Sequence, residues 1–348
     1  MRIAVGTMTG TSMDAIDAVA VQIDGHALQM TAKYLGMATV PMGSLQNKLV
    51  DLVKNMQTNC PEVELQIGNR TKEAIQLLDL ESIDLIAMHG QTIFHKPPKS
   101  VQLIDPMPIV NAFQCPVLTN PRQADLKLGG EGAPITPLAD WVMFKQTSQS
   151  IAIVNLGGYC NITILPKGCS IDEIQGYDLC CCNLILDAIA RKYFGSPFDE
   201  YGKHALKGDI QSDLFNEICF LLSKQYKQSC SLGHLDNLDN MILNLGKPHS
   251  GFDFAKTACA AIGKTINNSL SSIDTIYLAG GGANNGALTK EIKHNGFVSD
   301  LNVPIQAREG MAMGILGALA QDGISITLPQ ITGRNATDQL VGWTQASP

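Results

Sequence analysis

The chain predicts an α/β protein in two lobes, on three observations. With 348 residues, 45% of them hydrophobic, it can bury the cores of two ordinary domains. Residues 2–24, RIAVGTMTGTSMDAIDAVAVQID, read as strand, glycine-rich loop, strand, and residues 151–165, IAIVNLGGYCNITIL, repeat that pattern. Short apolar runs bounded by glycine then alternate with longer stretches of helical spacing, as in sheets flanked by helices. Lobes over 1–140 and 141–348 follow, each containing one hairpin.

In the first hairpin, Ile3 and Val5, then Ile16, Ala18 and Ala20, have the period-2 spacing of half-buried strands. The loop between them has a different chemistry. Gly6 and Gly10 allow a phosphate to approach the backbone, Thr7, Thr9, Thr11 and Ser12 offer hydroxyls, and Asp14 and Asp17 offer oxygens to a hard cation. A nucleotide with Mg²⁺ would suit it; so would an ordinary glycine-rich turn. Neither a GxxxxGK[ST] loop nor a GxGxxG that opens a helix is present.

A third strand follows around residues 34–40, then helical spacing in LQNKLVDLVKNM and EVELQIGNRTKEAIQLLDL, with Pro61 suited to a first helical turn. Residues 83–88 form an apolar strand leading into His89, Gly90, Gln91 and Thr92 at its carboxyl end, where ligands gather in open α/β folds. Such a histidine is either structural or catalytic. Residues 101–106 and 116–119 read as short strands, and NPRQADLKLGGEGAPITPLAD, too polar and too rich in Gly and Pro for the sheet, as a binding loop carrying Arg122 and Asp125.

In the second lobe, EIQGYDLCCCNLILDAIARKYFG runs from a strand into an amphipathic helix with Asp178 at the junction, where an Asp is most often a helix cap. Residues 210–270 are mostly helical by spacing. IDTIYLAGGGANNGALTKEI then reads as strand, three glycines and a helix start, where Gly280, Gly281 and Gly282 let a base or ribose lie against the backbone. Glu309 opens a further helix with an apolar face rich in Met and Leu.

The net charge of −7 argues against binding a nucleic-acid backbone. No run of 18 apolar residues appears and no apolar leader precedes the first strand, so a soluble cytoplasmic protein is expected. Ten cysteines in this length make no disulfide scaffold and match no zinc spacing. Cys180, Cys181 and Cys182 read as small apolar packing residues, with a soft-metal site as the alternative.

GTMTGTSMDAID resembles the amino-terminal phosphate motif of the 1,6-anhydro-N-acetylmuramic acid kinase family, sugar kinases of the actin, hexokinase and heat-shock chaperone ATPase superfamily. Ala15 replaces a glycine there. HGQT, R-x-x-D with GG-x-GAP, NLGG-x-x-NIT, G-Y-D with Asn183, GGG-x-x-N, A-x-E and P-x-x-TG follow in the family's order. The resemblance implies an actin-like ATPase fold with a duplicated ribonuclease H-like core, ATP and Mg²⁺ as cofactors, an anhydro amino sugar as substrate, and a homodimer.

It also assigns residues. Gly10, Thr11, Ser12, Met13, Asp14, Ala15, Ile16, Asp17, Gly157, Gly158, Gly280, Gly281 and Gly282 would bind ATP, with Asp14 toward the metal. His89, Gln91, Thr92, Arg122, Asp125 and Glu309 would bind sugar. Asp178 would be the base that activates water, and Arg122 and Glu309 would share the catalytic work. Departures are Asn120, Pro121, Glu131, Ile104, Gly310 and, above all, Leu179, Cys180, Cys181 and Cys182 where the family has T-G-P-G. A degenerate, nucleotide- or sugar-binding sensor is therefore the rival to an active kinase, and an actin-like filament a weaker one.

Overall fold

The computed structural model describes residues 1–145, 148–225, 238–245, 250–336 and 341–346. In chain order, the strands and helices begin with β1 (Arg2–Thr9), β2 (Ala15–Asp24), β3 (Thr31–Pro41), α1 (Leu45–Lys54) and α2 (Pro61–Gln76). β4 (Leu85–Met88), β5 (Gln91–Lys96), β6 (Lys99–Leu103), α3 (Met107–Val110), β7 (Val117–Thr119), α4 (Gln123–Lys127) and α5 (Pro137–Phe144) follow. Next come β8 (Ile151–Leu156), β9 (Tyr159–Leu165), β10 (Gln175–Cys181), α6 (Asn183–Phe194), α7 (Ser212–Gln225), α8 (Leu238–Leu243), α9 (Gly251–Ser269) and β11 (Thr275–Ala279). The chain ends with α10 (Gly286–Thr289), β12 (Gly296–Phe297), α11 (Arg308–Gln321), α12 (Pro329–Thr332) and β13 (Thr344–Ala346).

These elements form two compact units. The first comprises Met1–Gln146, Cys169–Gln175 and Asn302–Pro348, the second Thr147–Gly168 and Gly176–Leu301. A boundary at residue 140 is therefore corrected: the first unit runs on to Gln146 and takes back Cys169–Gln175 and the carboxyl-terminal segment from Asn302. The carboxyl-terminal segment returns because α11 packs across β1, β2 and β4.

The same sheet order recurs. In the first unit it runs β3-β2-β1-β4-β7, with β13 beyond β7. β1, β2 and β3 form an antiparallel meander, and β4 and β7 run parallel to β1. In the second it runs β10-β9-β8-β11-β12, with β8 antiparallel to β9 and β11 and β12 parallel to β8. Third, second, first, fourth, fifth is the order in both, which is the duplicated core that the paired hairpins predict.

The half-buried reading of β1 and β2 needs correction. Ala18, Val19, Ala20 and Val21 are all fully buried, because both faces of this sheet are covered and the alternation is lost. One face packs on α1 and α2 through Ile16, Val40, Leu49 and Ile67. The other receives α11 at close range. A Cβ on Gly6 would collide with the Gly310 carbonyl and the Gly314 amide, one on Gly310 with the Val19 side chain, and one on Gly317 would lie 2.8 Å from Ala87 Cβ. Gly6 thus serves helix packing, not phosphate approach, and Gly310 is the residue that fits against Val19.

The ends of α11 are tied down as well. Arg308, 1% exposed, forms a paired contact with the fully buried Asp140. At the other end, Arg2 donates from both terminal nitrogens to Asp322, at 2.8 and 2.7 Å.

We expect Gly6→Ala to destabilise the protein by about 1–3 kcal/mol or more, since its new methyl meets backbone that has no rotamer to yield. A urea midpoint equal to wild type would show that α11 does not make this contact.

Candidate functional site

In the first unit the polar residues singled out above converge around the β1–β2 loop. Residues Gly10 to Asp14 form a tight turn in which Met13 N donates to the Gly10 carbonyl at 3.1 Å, with Met13 at φ 55°. Gln46 holds the Ser12 carbonyl at 3.1 Å, and Met42 N donates to the Asp14 carbonyl at 2.7 Å. Thr11, Ser12 and Asp14 are exposed. Met13 and Ile16 are buried in the core, so their side chains are not available to a ligand and only their backbone is.

Asp17 accepts from Thr39 Oγ1 at 2.7 Å. Its carboxyl is raised above the ordinary value, chiefly by burial and further by the carboxylates of Asp14 and Glu309, against the Thr39 hydrogen bond. Three acidic groups thus share one field. Among the described residues no set of three His, Cys, Asp or Glu is tight enough to hold a metal alone. That donor set fits Mg²⁺, which keeps several waters and takes the rest of its oxygens from phosphates.

The HGQT segment is stitched to this loop. His89 N donates to the Thr7 carbonyl at 3.3 Å, Thr9 Oγ1 to the Gly90 carbonyl at 2.9 Å, and Gln91 Nε2 to the Gly10 carbonyl at 3.4 Å. Gln91 and Thr92 lie on β5, whose cross-strand partner to Thr92 is Gln102. Buried Gln91 and Gln102 each keep an Oε1 with no protein donor. Gln102 went unnoticed in the sequence because it sits in an ordinary short strand.

His89 is completely buried and paired with Arg122, whose Nε and Nη2 lie 3.2 and 3.0 Å from its Nε2. A guanidinium only donates, so Nε2 is the acceptor and Nδ1 carries the proton, directed at the Gly90 carbonyl 3.0 Å away. Burial first, and the Arg122 charge second, lower the imidazole pKa to about 3. His89 is thus a neutral group that aims Arg122.

The 120–140 stretch, expected as an irregular loop, contains α4 and the start of α5, and Asp125 in α4 is fully buried. Its carboxylate accepts from Gly132 N at 2.8 Å and Thr332 Oγ1 at 2.7 Å, with Arg334 Nε 3.6 Å away. Oδ2 holds the glycine loop and Oδ1 holds α12, so Asp125 shapes the site from within the fold. A Cβ on Gly130 would collide with this carboxylate, which explains that glycine. Arg122 Nη1 closes the arrangement on the Gly132 carbonyl at 3.1 Å.

In the second unit, the Gly157–Gly158 turn receives the start of α6: Asn183 N donates to Gly157 O at 3.0 Å and Cys182 N to Gly158 O at 2.9 Å. Asp178 is not at the strand-to-helix junction. It lies inside β10, 8% exposed, and the residue before α6 is Cys182, whose side chain caps nothing. A helix-cap role for Asp178 is thereby removed.

Gly280 has φ 78°, and a Cβ there would lie 2.7 Å from Asn155 Oδ1; one on Gly282 would lie 2.8 Å from Leu156 Cβ. Gly281 is different, since a Cβ on it would meet nothing within 4 Å. The glycines lead into a 3-10 turn, Gly281–Asn284, and the four-residue α10, not a long helix.

The model of the family described as anhydro-N-acetylmuramic acid kinase matches residues 2–344. The chain belongs to this family. Its relatives include the anhydro-N-acetylmuramic acid kinases of Salinibacter ruber, 28% identical with 97% of this chain and 95% of that protein covered, and of Clostridioides difficile, 28% identical with 90% and 91% covered. Among solved structures, component A of the Acidaminococcus fermentans (R)-2-hydroxyglutaryl-CoA dehydratase superposes with a TM-score of 0.49 at 9% identity, covering 92% of this chain and 99% of that one. A ROK family glucokinase from Streptomyces griseus gives 0.40 at 11%, covering 90% and 99%.

The cysteine run that departs from the family pattern is buried throughout: Cys180 and Cys182 are 0% exposed and Cys181 2%. Cys160 and Cys180 share a hydrogen bond, and burial with the neighbouring thiols pushes Cys182 well above the ordinary thiol range. These are packing residues, not thiolates. No helix among the described residues is long and apolar enough to cross a membrane.

Two outcomes follow. Below pH 6.5 the unfolded chain binds a proton at His89 that the folded chain refuses until about pH 3. The stability His89 contributes is therefore full above 6.5 and declines as pH falls through that window; His89→Gln should flatten the urea-midpoint profile there, and an unchanged profile would contradict a neutral buried imidazole. Gly281→Ala should keep the wild-type melting temperature and weaken nucleotide binding, whereas Gly282→Ala should fold poorly. Equal nucleotide affinity in the Gly281 variant would take that glycine out of a binding site.

Proposed function

We propose that the chain does what its family does, as an ATP-dependent anhydro-N-acetylmuramic acid kinase in cell-wall recycling, cytoplasmic and homodimeric. In this reaction water adds to the anomeric carbon of the 1,6-anhydro sugar, the bond from that carbon to the bridging oxygen breaks, and the released 6-oxygen takes the γ-phosphoryl group of ATP. The products are N-acetylmuramic acid 6-phosphate and ADP. The observation that carries this reading is the family match over residues 2–344.

Each residue has a part that its setting supports. Asp178, held in a strand and nearly buried, takes the proton from the attacking water. Arg122, aimed by His89 and the Gly132 carbonyl, orients the sugar or its oxyanion. Glu309 and the buried acceptor of Gln91 meet sugar donors. The Gly10–Asp14 turn and the Gly157–Gly158 turn take the phosphates, and the Gly280–Gly282 run takes the nucleoside. Asp14, with Asp17 behind it, would hold Mg²⁺, which neutralises phosphate charge when bound.

The decisive experiment follows the phosphorylated amino sugar directly, because slow ATP hydrolysis could persist without sugar chemistry. Asp178→Asn should lower turnover by about 10²–10⁴-fold or more while keeping ATP and sugar affinity. Product formed at the wild-type rate by this variant would remove Asp178 as the base. A wild-type protein that binds both ligands and forms no product would replace the kinase reading with that of a sensor.

A further inference from the structure

Tyr201 occupies a position that its own side chain does not justify. Its backbone has φ 55° and ψ 13°, the left-handed region that bulky residues avoid, and its ring is 68% exposed. The ring therefore gains little packing in return for the backbone conformation it accepts. Strain of this kind persists where the surroundings over-determine the chain, and it gathers at functional sites.

Here the surroundings are rigid. Tyr201 sits in a 3-10 turn, Glu200–Gly202, and Gly202 N donates to the Asp199 carbonyl at 2.9 Å. The buried Asp199 carboxylate accepts from His204 N and Ala205 N, each at 2.9 Å, and His204 is stacked on Phe194 at 4.1 Å between ring centroids. The turn is also pressed onto Asn285–Ala287, the segment that follows the glycine run in the same unit. A Cβ on Gly202 would collide with Asn285 Oδ1 and lie 2.8 Å from Ala287 N, and one on Gly286 would lie 3.5 Å from the Tyr201 carbonyl. The Glu200–Gly202 turn touches the Gly281–Asn284 turn, where Gly281 faces open space.

An exposed tyrosine, on a turn held next to the Gly281–Asn284 turn, offers its ring to a planar, apolar-faced group. We propose that Tyr201 stacks on the purine base of the bound nucleotide, an inference that rests on the kinase reading above. Stacking on an aromatic side chain contributes on the scale of the base–aromatic contacts of nucleic-acid binders. A docked protein would be the other use of an exposed ring, but the position of the turn against the glycine run favours the nucleotide.

The test titrates Mg-ADP, and separately tripolyphosphate, into the full-length wild type and the Tyr201→Phe and Tyr201→Asn variants by calorimetry. Asparagine accepts positive φ, so Tyr201→Asn should melt at or above the wild-type temperature. It should bind ADP about 5- to 100-fold more weakly and tripolyphosphate unchanged, while Tyr201→Phe stays near wild type for both. Wild-type ADP affinity in the Asn variant would overturn the inference and leave the kinase reading standing. Equal losses for ADP and tripolyphosphate would overturn it too, since the effect would then lie in the loop. A wild type that binds no ADP would bring down both readings.

Discussion

The first unit depends on how closely α11 approaches the sheet. Helices ordinarily stand off a sheet by the depth of their side chains, but here Gly6, Gly310, Gly314 and Gly317 leave backbone against backbone, with Val19 and Ala87 filling the margins. That proximity sets the height of β1, whose far end becomes the Gly10–Asp14 turn, and it carries Glu309 into the field of Asp17. The contact is anchored rather than merely apolar. Buried Arg308 and Asp140 lock the amino-terminal turn, and removing either partner would strand a charge in the core, a loss on the scale of about 3–5 kcal/mol.

A second constraint is the division of labour among charged groups around HGQT. Arg122 is the cation; His89 beside it stays neutral, because a second charge in that volume would lose its solvation and repel the first. Asp125 organises the glycine loop through Gly132 and Thr332 and meets Arg334, while Arg122 donates to the Gly132 carbonyl and to the His89 imidazole. A guanidinium oriented in this way is suited to an oxygen-rich or anionic ligand.

The hairpins, the helices after them and the HGQT strand end were legible because each is local: a glycine turn between apolar runs, or 3.6-residue spacing in one stretch. What was hidden depends on residues far apart in the chain. Gly6 reads as a phosphate-loop glycine until residue 310 is placed over it. α11 is buried on nearly every side, so the apolar face read from its Met and Leu residues is not one-sided and does not say which unit it joins. Asp125 has the composition of a ligand residue, and only Thr332, more than 200 residues later, shows that its oxygens are spent within the fold. Asp178 precedes a helix closely enough to read as a cap; the strand running on through Cys181 is what separates the two.

The cysteine run is where sequence and structure bear on each other most directly. Replacing T-G-P-G by Leu179, Cys180, Cys181 and Cys182 adds side-chain volume beside the proposed base, and a loop designed around glycine would have to move to admit it. In this chain the segment is strand through Cys181, and all four side chains are buried. Cys181 N donates to Gln225 Oε1 at 2.8 Å, which ties the end of β10 to α7. The added bulk is thus spent on the core of the second unit, where small polarizable thiols pack readily. Asp178, immediately before Leu179 in the same strand, is buried with this segment.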